Sequence, residues 1–338
     1  MKQHRTYFLL FIVLIIFLGS VGYSYGKPAS APNNLFYSGL KTYKKLIYSY
    51  VPDTTSYRQK LENIIRLDYS STGRITDSTF LDSAGLLLSI QSYLYDQNGF
   101  LLTVKQYNST NTLQLIETFS YDSLGNCNER NWTDTNLVHL KRVQNKFNRS
   151  GMITRSIQTN LIDSTSNNIM FLYDDNNILL EKRWYDHQYI LEKKIEYDPA
   201  GHLTGSLTFL PEGSTQWKYV YWRNSISNQL ESHIIKTAEE QRKTEFIHNP
   251  REKQTEMLQY DVRDSLVFRI VSSYDDNSDY TSILEYDDKN NLVFKTTYEY
   301  DTDHRLRSEH YFESDYSTGE LIEVPYKLVI YEYEDHHH

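Results

Sequence analysis

Hydrophobic and polar residues alternate along most of this chain. In the stretch from Leu292 to Tyr300, Leu292, Phe294, Thr296, Tyr298 and Tyr300 share one parity, while Lys295 and Glu299 take the other. A period of two marks a strand with one covered face and one wetter face. Similar segments of ~8 residues, rich in Tyr, Val, Ile, Leu, Thr and Phe, recur from about Tyr43 to Tyr333. Each would span roughly 27 Å at ~3.4 Å per residue.

The segments are punctuated at a fixed period. Tyr95, Tyr121, Phe147 and Tyr173 stand 26 residues apart, each at the head of a turn. The turns read Tyr95-Asp96-Gln97-Asn98-Gly99, Tyr121-Asp122-Ser123-Leu124-Gly125, Phe147-Asn148-Arg149-Ser150-Gly151 and Tyr173-Asp174-Asp175-Asn176-Asn177. Tyr69 to Gly73 precedes them, and Tyr197-Asp198-Pro199-Ala200-Gly201, Tyr274-Asp275 and Tyr300-Asp301 follow. A second turn lies near the middle of most units, as at Asp82 to Gly85, Tyr107 to Asn111 and Tyr286-Asp287 to Asn290. A fixed period means stacked copies of one supersecondary unit, here a two-strand hairpin.

Asp or Asn at the turn's start accepts hydrogen bonds from backbone further along. The last turn residue needs a positive φ, which Gly adopts freely and Asn tolerates. The turn-defining positions are therefore Asp96, Gly99, Asp122, Gly125, Gly151, Asp174, Asn177, Asp198, Gly201, Asp287 and Asn290, with Asn111 and Asn136 also placed at the glycine position. The prediction is an all-β fold: one long antiparallel meander of hairpin repeats, on the order of 20 strands, curled or coiled as a single sheet. Residues 41–334 form this repeat domain, with 27–40 as a short tether and 335–338 as a polar tail. The stretch Asn224 to Glu256 carries the weakest pattern, and Lys236 to Lys243 reads as a polar hairpin or one helical turn.

Composition refines this picture. Thirty tyrosines suit a single-layer sheet, because each buries an apolar ring while its hydroxyl stays at water. The net charge is −9 and basic residues are scattered, which argues against nucleic-acid binding. Residues 1–26 read as a secretory signal peptide. Lys2, His4 and Arg5 form the basic start, Tyr7 to Leu18 the apolar core, and Ser24-Tyr25-Gly26 the cleavage site. The expected product is exported to the periplasm, the outer surface or the medium. The single Cys127 excludes an intrachain disulfide and reads as a half-buried apolar residue.

The familiar catalytic spacings are absent, and neither a catalytic residue nor a cofactor or metal ligand is assigned. Asp275-Asp276-Asn277-Ser278-Asp279 begins like a calcium loop but has Tyr280 where the loop needs Gly and Tyr286 where it needs Glu. The glycosylation-like triplets at Asn108, Asn131, Asn148, Asp82, Asp122 and Asp264 match turn composition equally well. Trp132, Trp217 and Trp222 form a candidate glycan platform, although the spacing of five puts Trp217 and Trp222 on opposite sides of a regular strand. Trp184, just before its own turn, reads as structural.

The sequences Tyr95-Asp96-Gln97-Asn98-Gly99-Phe100-Leu101 and Tyr197-Asp198-Pro199-Ala200-Gly201-His202-Leu203 resemble the Tyr-Asp-x-x-Gly-x-Leu signature of bacterial YD-repeat (RHS-like) proteins. The resemblance covers about residues 65 to 333 and implies an all-β secreted or cell-surface shell. The repeat runs on to Tyr331-Glu332-Tyr333, which leaves no room for the C-terminal toxin of the large members. The expectation is a non-enzymatic envelope scaffold or protein-binding module, with a carbohydrate-binding surface protein as the alternative. Its partner would be protein or glycan at the envelope. A membrane barrel fits poorly, since the mean hydropathy is −0.61 and Lys105, Lys295 and Arg307 interrupt any lipid band.

Overall fold

The computed structural model describes residues 39–53, 56–223, 229–236, 241–251 and 253–336. The signal-peptide and cleavage-site readings, and most of the 27–40 tether, lie outside the described residues. Twenty-two strands run from β1 (Leu40–Pro52) to β22 (Ile322–Asp335) in one sheet. Each pairs antiparallel with its neighbour in sequence. The weak stretch is also strand: β15 (Leu230–Lys236) and β16 (Gln241–His248) form a hairpin with Lys236 opposite Gln241. Asp335, placed in the tail by sequence, ends β22.

The sheet does not stay open. β1 pairs with β22 from Leu40↔Asp335 to Ser49↔Lys327, so the meander closes into a 22-stranded barrel. This corrects the expectation of a curled or coiled open sheet. A 26-residue period fixes how each strand meets the next, but not the strand number at which the ends meet. That depends on accumulated twist and on the two end strands, which have no repeat partner to reveal them.

Twenty-two strands at ~4.8 Å spacing and a tilt of ~40° make a wall roughly 40–45 Å across, backbone to backbone. Eight strands already leave just enough room for side chains. A barrel of this size is therefore a hollow shell.

One face of the wall carries the turn tyrosines and can be followed around the whole barrel by register. It runs through Tyr43↔Leu67↔Ser78↔Gln91, then Phe119↔Arg130↔Val143, then Tyr221↔His233↔Thr244, and returns through Tyr298↔Glu309↔Val329. Most buried strand residues lie on it: Ser78, Val143, Asn145, Phe171, Thr244, Ser272, Val329 and Tyr331. The opposite face contributes Thr42, Thr133, Asn168, Ser308 and Leu328. Side chains converge on the inside of a cylinder and diverge outside it. The crowded tyrosine face is therefore the lumenal wall.

The repeat tyrosine has a defined job. Tyr121 donates to the carbonyl of Leu101, Tyr173 to Ile153 and Tyr274 to Gln254, each at 2.8 Å and each 20 residues back. Each latch joins one turn to the preceding turn on the same rim. The residue after the turn glycine packs forward in the same sense, so Phe100 lies over Gly125 and stacks on Tyr121 at 4.8 Å. Gly125 has φ +81°, and a Cβ there would come within 2.8 Å of Phe100. Gly85 has φ +77° with nothing within 4 Å. Both Gly→Ala changes incur the left-handed penalty of ~1–2 kcal/mol. Gly125→Ala should lose about 1 kcal/mol more, because it also displaces Phe100. Urea midpoints that coincide for the two variants would contradict turn stacking.

Candidate functional site

The turn-defining residues behave as the sequence predicts. Asp96 Oδ1 accepts from Asn98 N at 2.9 Å and Phe100 N at 2.8 Å. Asp122, Asp174, Asp198 and Asp287 repeat the same pair of bonds. Gly99, Gly125, Gly151, Asn177, Gly201 and Asn290 all have positive φ. In the turn from Asp134, however, the left-handed residue is Leu137 at φ 63°, not Asn136. The turn there starts at Asp134, whose carbonyl accepts from Leu137 N, so the special position falls one residue later. Asp275 makes the same turn bonds, to Asn277 N and Asp279 N. Among the described residues no cluster of three or more His, Cys, Asp or Glu is placed to hold a metal ion.

The densest ionisable chemistry lies on the lumenal wall near the seam. It spans β19 (Tyr280–Tyr286), β20 (Leu292–Tyr300), β21 (Leu306–Asp315), β22 and β1. Register sets Glu285 beside Phe294, Phe294 beside Glu313, and Tyr311 beside Lys327. Tyr326 is the extra residue of a bulge, between Tyr311↔Lys327 and Phe312↔Pro325. That bulge turns its ring onto Phe294 at 6.2 Å and Tyr311 at 6.1 Å. Tyr311 donates to Glu309 Oε2 at 2.7 Å. Lys327 lies 4.7 Å over the Tyr311 ring and Lys45 lies 5.2 Å over Tyr331.

The electrostatics follow from partial drying. Burial pushes the Glu285 carboxyl above the usual carboxylate range. Burial first, and then the charge of Glu309, pushes the Tyr298, Tyr311 and Tyr331 phenols well above theirs. Tyr326 is pushed up to about 12 by burial and then by Glu285 and Glu313. Burial draws the Lys327 ammonium down. Such a wall offers ring faces, phenol hydroxyls and carboxylates to whatever enters the lumen. Periodicity hides it, since Glu285, Glu309 and Glu313 look like ordinary alternating strand charges in sequence.

The tryptophans are not brought together as one platform. Trp132 lies on β7 (Cys127–Asp134) and is covered by Arg130 and Lys141, each 4.9 Å from its ring centre. Trp217 and Trp222 lie on β14 (Thr215–Arg223), seven strands further along. Trp217 is paired with Thr208 and Trp222 with Ser232, at positions of opposite parity. Trp222 is exposed on the outer face. Trp184 floors a rim groove of about 440 Å³ with Ile190, Glu192, Phe209 and Gln216, and Lys193 lies 5.4 Å over its ring. Cys127 is half-buried, and burial pushes its thiol up.

His233 is a half-buried group that the repeat does not announce. Its ring sits 5.7 Å from Tyr221 and 5.6 Å from Phe246, and its Nδ1 finds no hydrogen-bond partner. Burial pulls its pKa down to about 4. A depressed imidazole contributes stability above its unfolded pKa of ~6.5 and loses it as pH falls toward 4. His233→Phe should keep the ring sandwich and remove this sensitivity. Melting temperatures at pH 5 and pH 7.5 should lie closer together in the variant than in the wild type. An unchanged gap would show that His233 is not the acid-sensitive group.

No family model matches this chain, and no curated protein matches it. Among solved structures, the toxin complex TcdB2-TccC3-TEV aligns over 82% of this chain with 11% identity and a TM-score of 0.30. The chain spans 18% of that protein's length. A porin-like protein from Bacteroides uniformis aligns over 87% of this chain and 98% of its own, with 12% identity and a TM-score of 0.32. A DUF1329 family protein from Desulfovibrio piger aligns over 88% and 87%, with 9% identity and a TM-score of 0.20. Likeness this loose says nothing about activity.

Proposed function

We propose that this chain is an exported, water-soluble barrel of YD-repeat type that acts as a non-enzymatic scaffold or protein-binding module at the cell envelope. One observation carries the reading: charge sits in mid-strand on both faces of the wall. Lys105, Arg142, Arg183, Lys194, Arg269 and Lys295 stand on the outer face, while Glu117, Arg130, Lys182 and Glu309 stand on the lumenal one. A lipid-facing band needs apolar residues at its outward positions, and a mid-depth Lys or Arg costs about 2–4 kcal/mol. Most strands also have seven to nine residues, at or below the length that spans a bilayer.

The test is expression from Lys27 onward without detergent. The expected product is monodisperse in buffer, does not float with lipid vesicles and gives no conductance in a planar bilayer. Extraction only in detergent, or stepwise conductance, would replace the scaffold with a pore. The groove around Trp184 favours the alternative of glycan binding, although a sugar would first have to displace Lys193. Saturable quenching of tryptophan fluorescence by a polysaccharide, lost in Trp184→Ala, would promote that alternative.

A further inference from the structure

Closure pairs most strand edges, and among the described residues one stretch left open lies at the end of the first hairpin. β1 and β2 (Tyr57–Tyr69) have 13 residues each and stay paired from Thr42↔Asp68 to Pro52↔Tyr57. Their outer neighbours let go earlier. β22 leaves β1 after Ser49↔Lys327, two residues short of Pro325, which has no N–H to continue the ladder. β3 (Ile75–Asp82) leaves β2 after Asn63↔Asp82. Glu62 is bulged at that point, between Asn63↔Ile47 and Leu61↔Tyr48. The bulge bends the strand where support ends. A two-stranded ribbon therefore projects from the rim, with Tyr57, Arg58, Gln59 and Lys60 exposed.

The phase of its hydrogen bonds is fixed. Asp53 N donates to Ser56 O at 2.8 Å. Pairs along an antiparallel ladder alternate between bonded and non-bonded. Val51–Arg58 and Ser49–Lys60 are then the bonded pairs, and Tyr57, Gln59 and Leu61 aim their N–H and C=O groups away from β1. An open row of this kind is a template for another strand.

A second copy fits it badly. Outward-directed residues must face each other in the joint. Gln59 opposite Gln59 sets Arg58 against Lys60, Tyr57 opposite Gln59 sets Arg58 against Arg58, and Gln59 opposite Leu61 sets Lys60 against Lys60. Like charges directly opposite are destabilising. Arg58 suits a strand bearing carboxylates at alternate positions, and so does Lys60, whose ammonium sits 3.2 Å from Glu62 at an exposed position where a second carboxylate can share it.

We propose that the outer edge of β2, from Tyr57 to Leu61, is a strand-addition site for an extended acidic segment of a partner protein. The proposal rests on the scaffold reading and fails separately from it, since a soluble, non-conducting barrel that binds no such segment loses only this site. The probe is a fluorescent seven-residue peptide alternating glutamate and valine, titrated against the mature chain by anisotropy. A lysine–valine peptide is the control. Saturable binding is expected for the acidic peptide, about tenfold or more tighter than for the basic one. Gln59→Pro removes an N–H that makes no bond to β1, so it should weaken binding about tenfold while leaving the melting temperature unchanged. The pair Arg58→Glu and Lys60→Glu should reverse the charge preference. Equal binding of both peptides, an unaffected Gln59→Pro, no saturable binding, or self-association abolished by Gln59→Pro would each overturn the proposal.

Discussion

Val329→Asp is expected to destabilise the barrel by about 3–5 kcal/mol, the cost of burying an unpaired charge. Val329 is fully buried on β22, between Ile47 of β1 and Glu309 of β21. Leu40, Leu328 and Tyr331 are buried along the same seam, Leu328 on its outer face, while most of the remaining wall is only half covered. The seam is therefore the nearest thing to a hydrophobic core, and it forms only when the first and last strands meet. Val267→Asp is the control. It sits on an outer position of β18 (Leu266–Tyr274) at 37% exposure and should change stability by less than about 1 kcal/mol. Urea unfolding measures both. Similar losses would mean that the seam has no special place in stability.

Alkaline pH should unfold this protein cooperatively. Tyr121, Tyr221, Tyr300 and Tyr326 are pushed up to about 12 by burial, and Tyr274, Tyr298, Tyr311 and Tyr331 are pushed further. A phenol whose folded pKa is raised contributes stability below its unfolded value of ~10, and that stability is lost as pH climbs through the folded value. Tyr298, Tyr311, Tyr326 and Tyr331 lie together near the seam, so ionising one puts a charge among the others, and Tyr121 and Tyr221 add the same burial cost elsewhere on the wall. Phenolate absorbance and far-ultraviolet circular dichroism should therefore change together in a steep step at about pH 11–12. Smooth titration of all tyrosines near pH 10 with unchanged dichroism would contradict a half-dry tyrosine wall.

The local rules of this fold are written in the sequence. Asp122 and Gly125 announce a turn because each meets a specific backbone demand, an acceptor at the start and a positive φ at the end. Leu292 to Tyr300 announces a strand by parity alone. The latch from Tyr121 to Leu101 was within reach too, as a tyrosine recurring 20 residues after the start of a strand. Closure was not. It depends on Thr42, Tyr43 and Lys44 meeting Glu334, Tyr333 and Glu332, pairs nearly 300 residues apart that no repeat relates. The Glu285–Tyr326 cluster was hidden for a similar reason. Its members belong to four strands from β19 to β22, with β1 beside them, and the bulge that delivers Tyr326 appears only in the pairing.

Closure is tested most directly by a disulfide across the seam. Lys44 and Glu332 stand directly opposite on β1 and β22, their side chains 3.6 Å apart. Lys44→Cys with Glu332→Cys, made in a Cys127→Ser background, puts two thiols on the first and last strands of one chain. Mild oxidation of the folded protein should give one intramolecular bond in high yield, seen as a faster band on non-reducing gels and a linked peptide by mass spectrometry. Free thiols after oxidation, or bonds formed only between molecules, would mean that the sheet is open and the barrel does not exist.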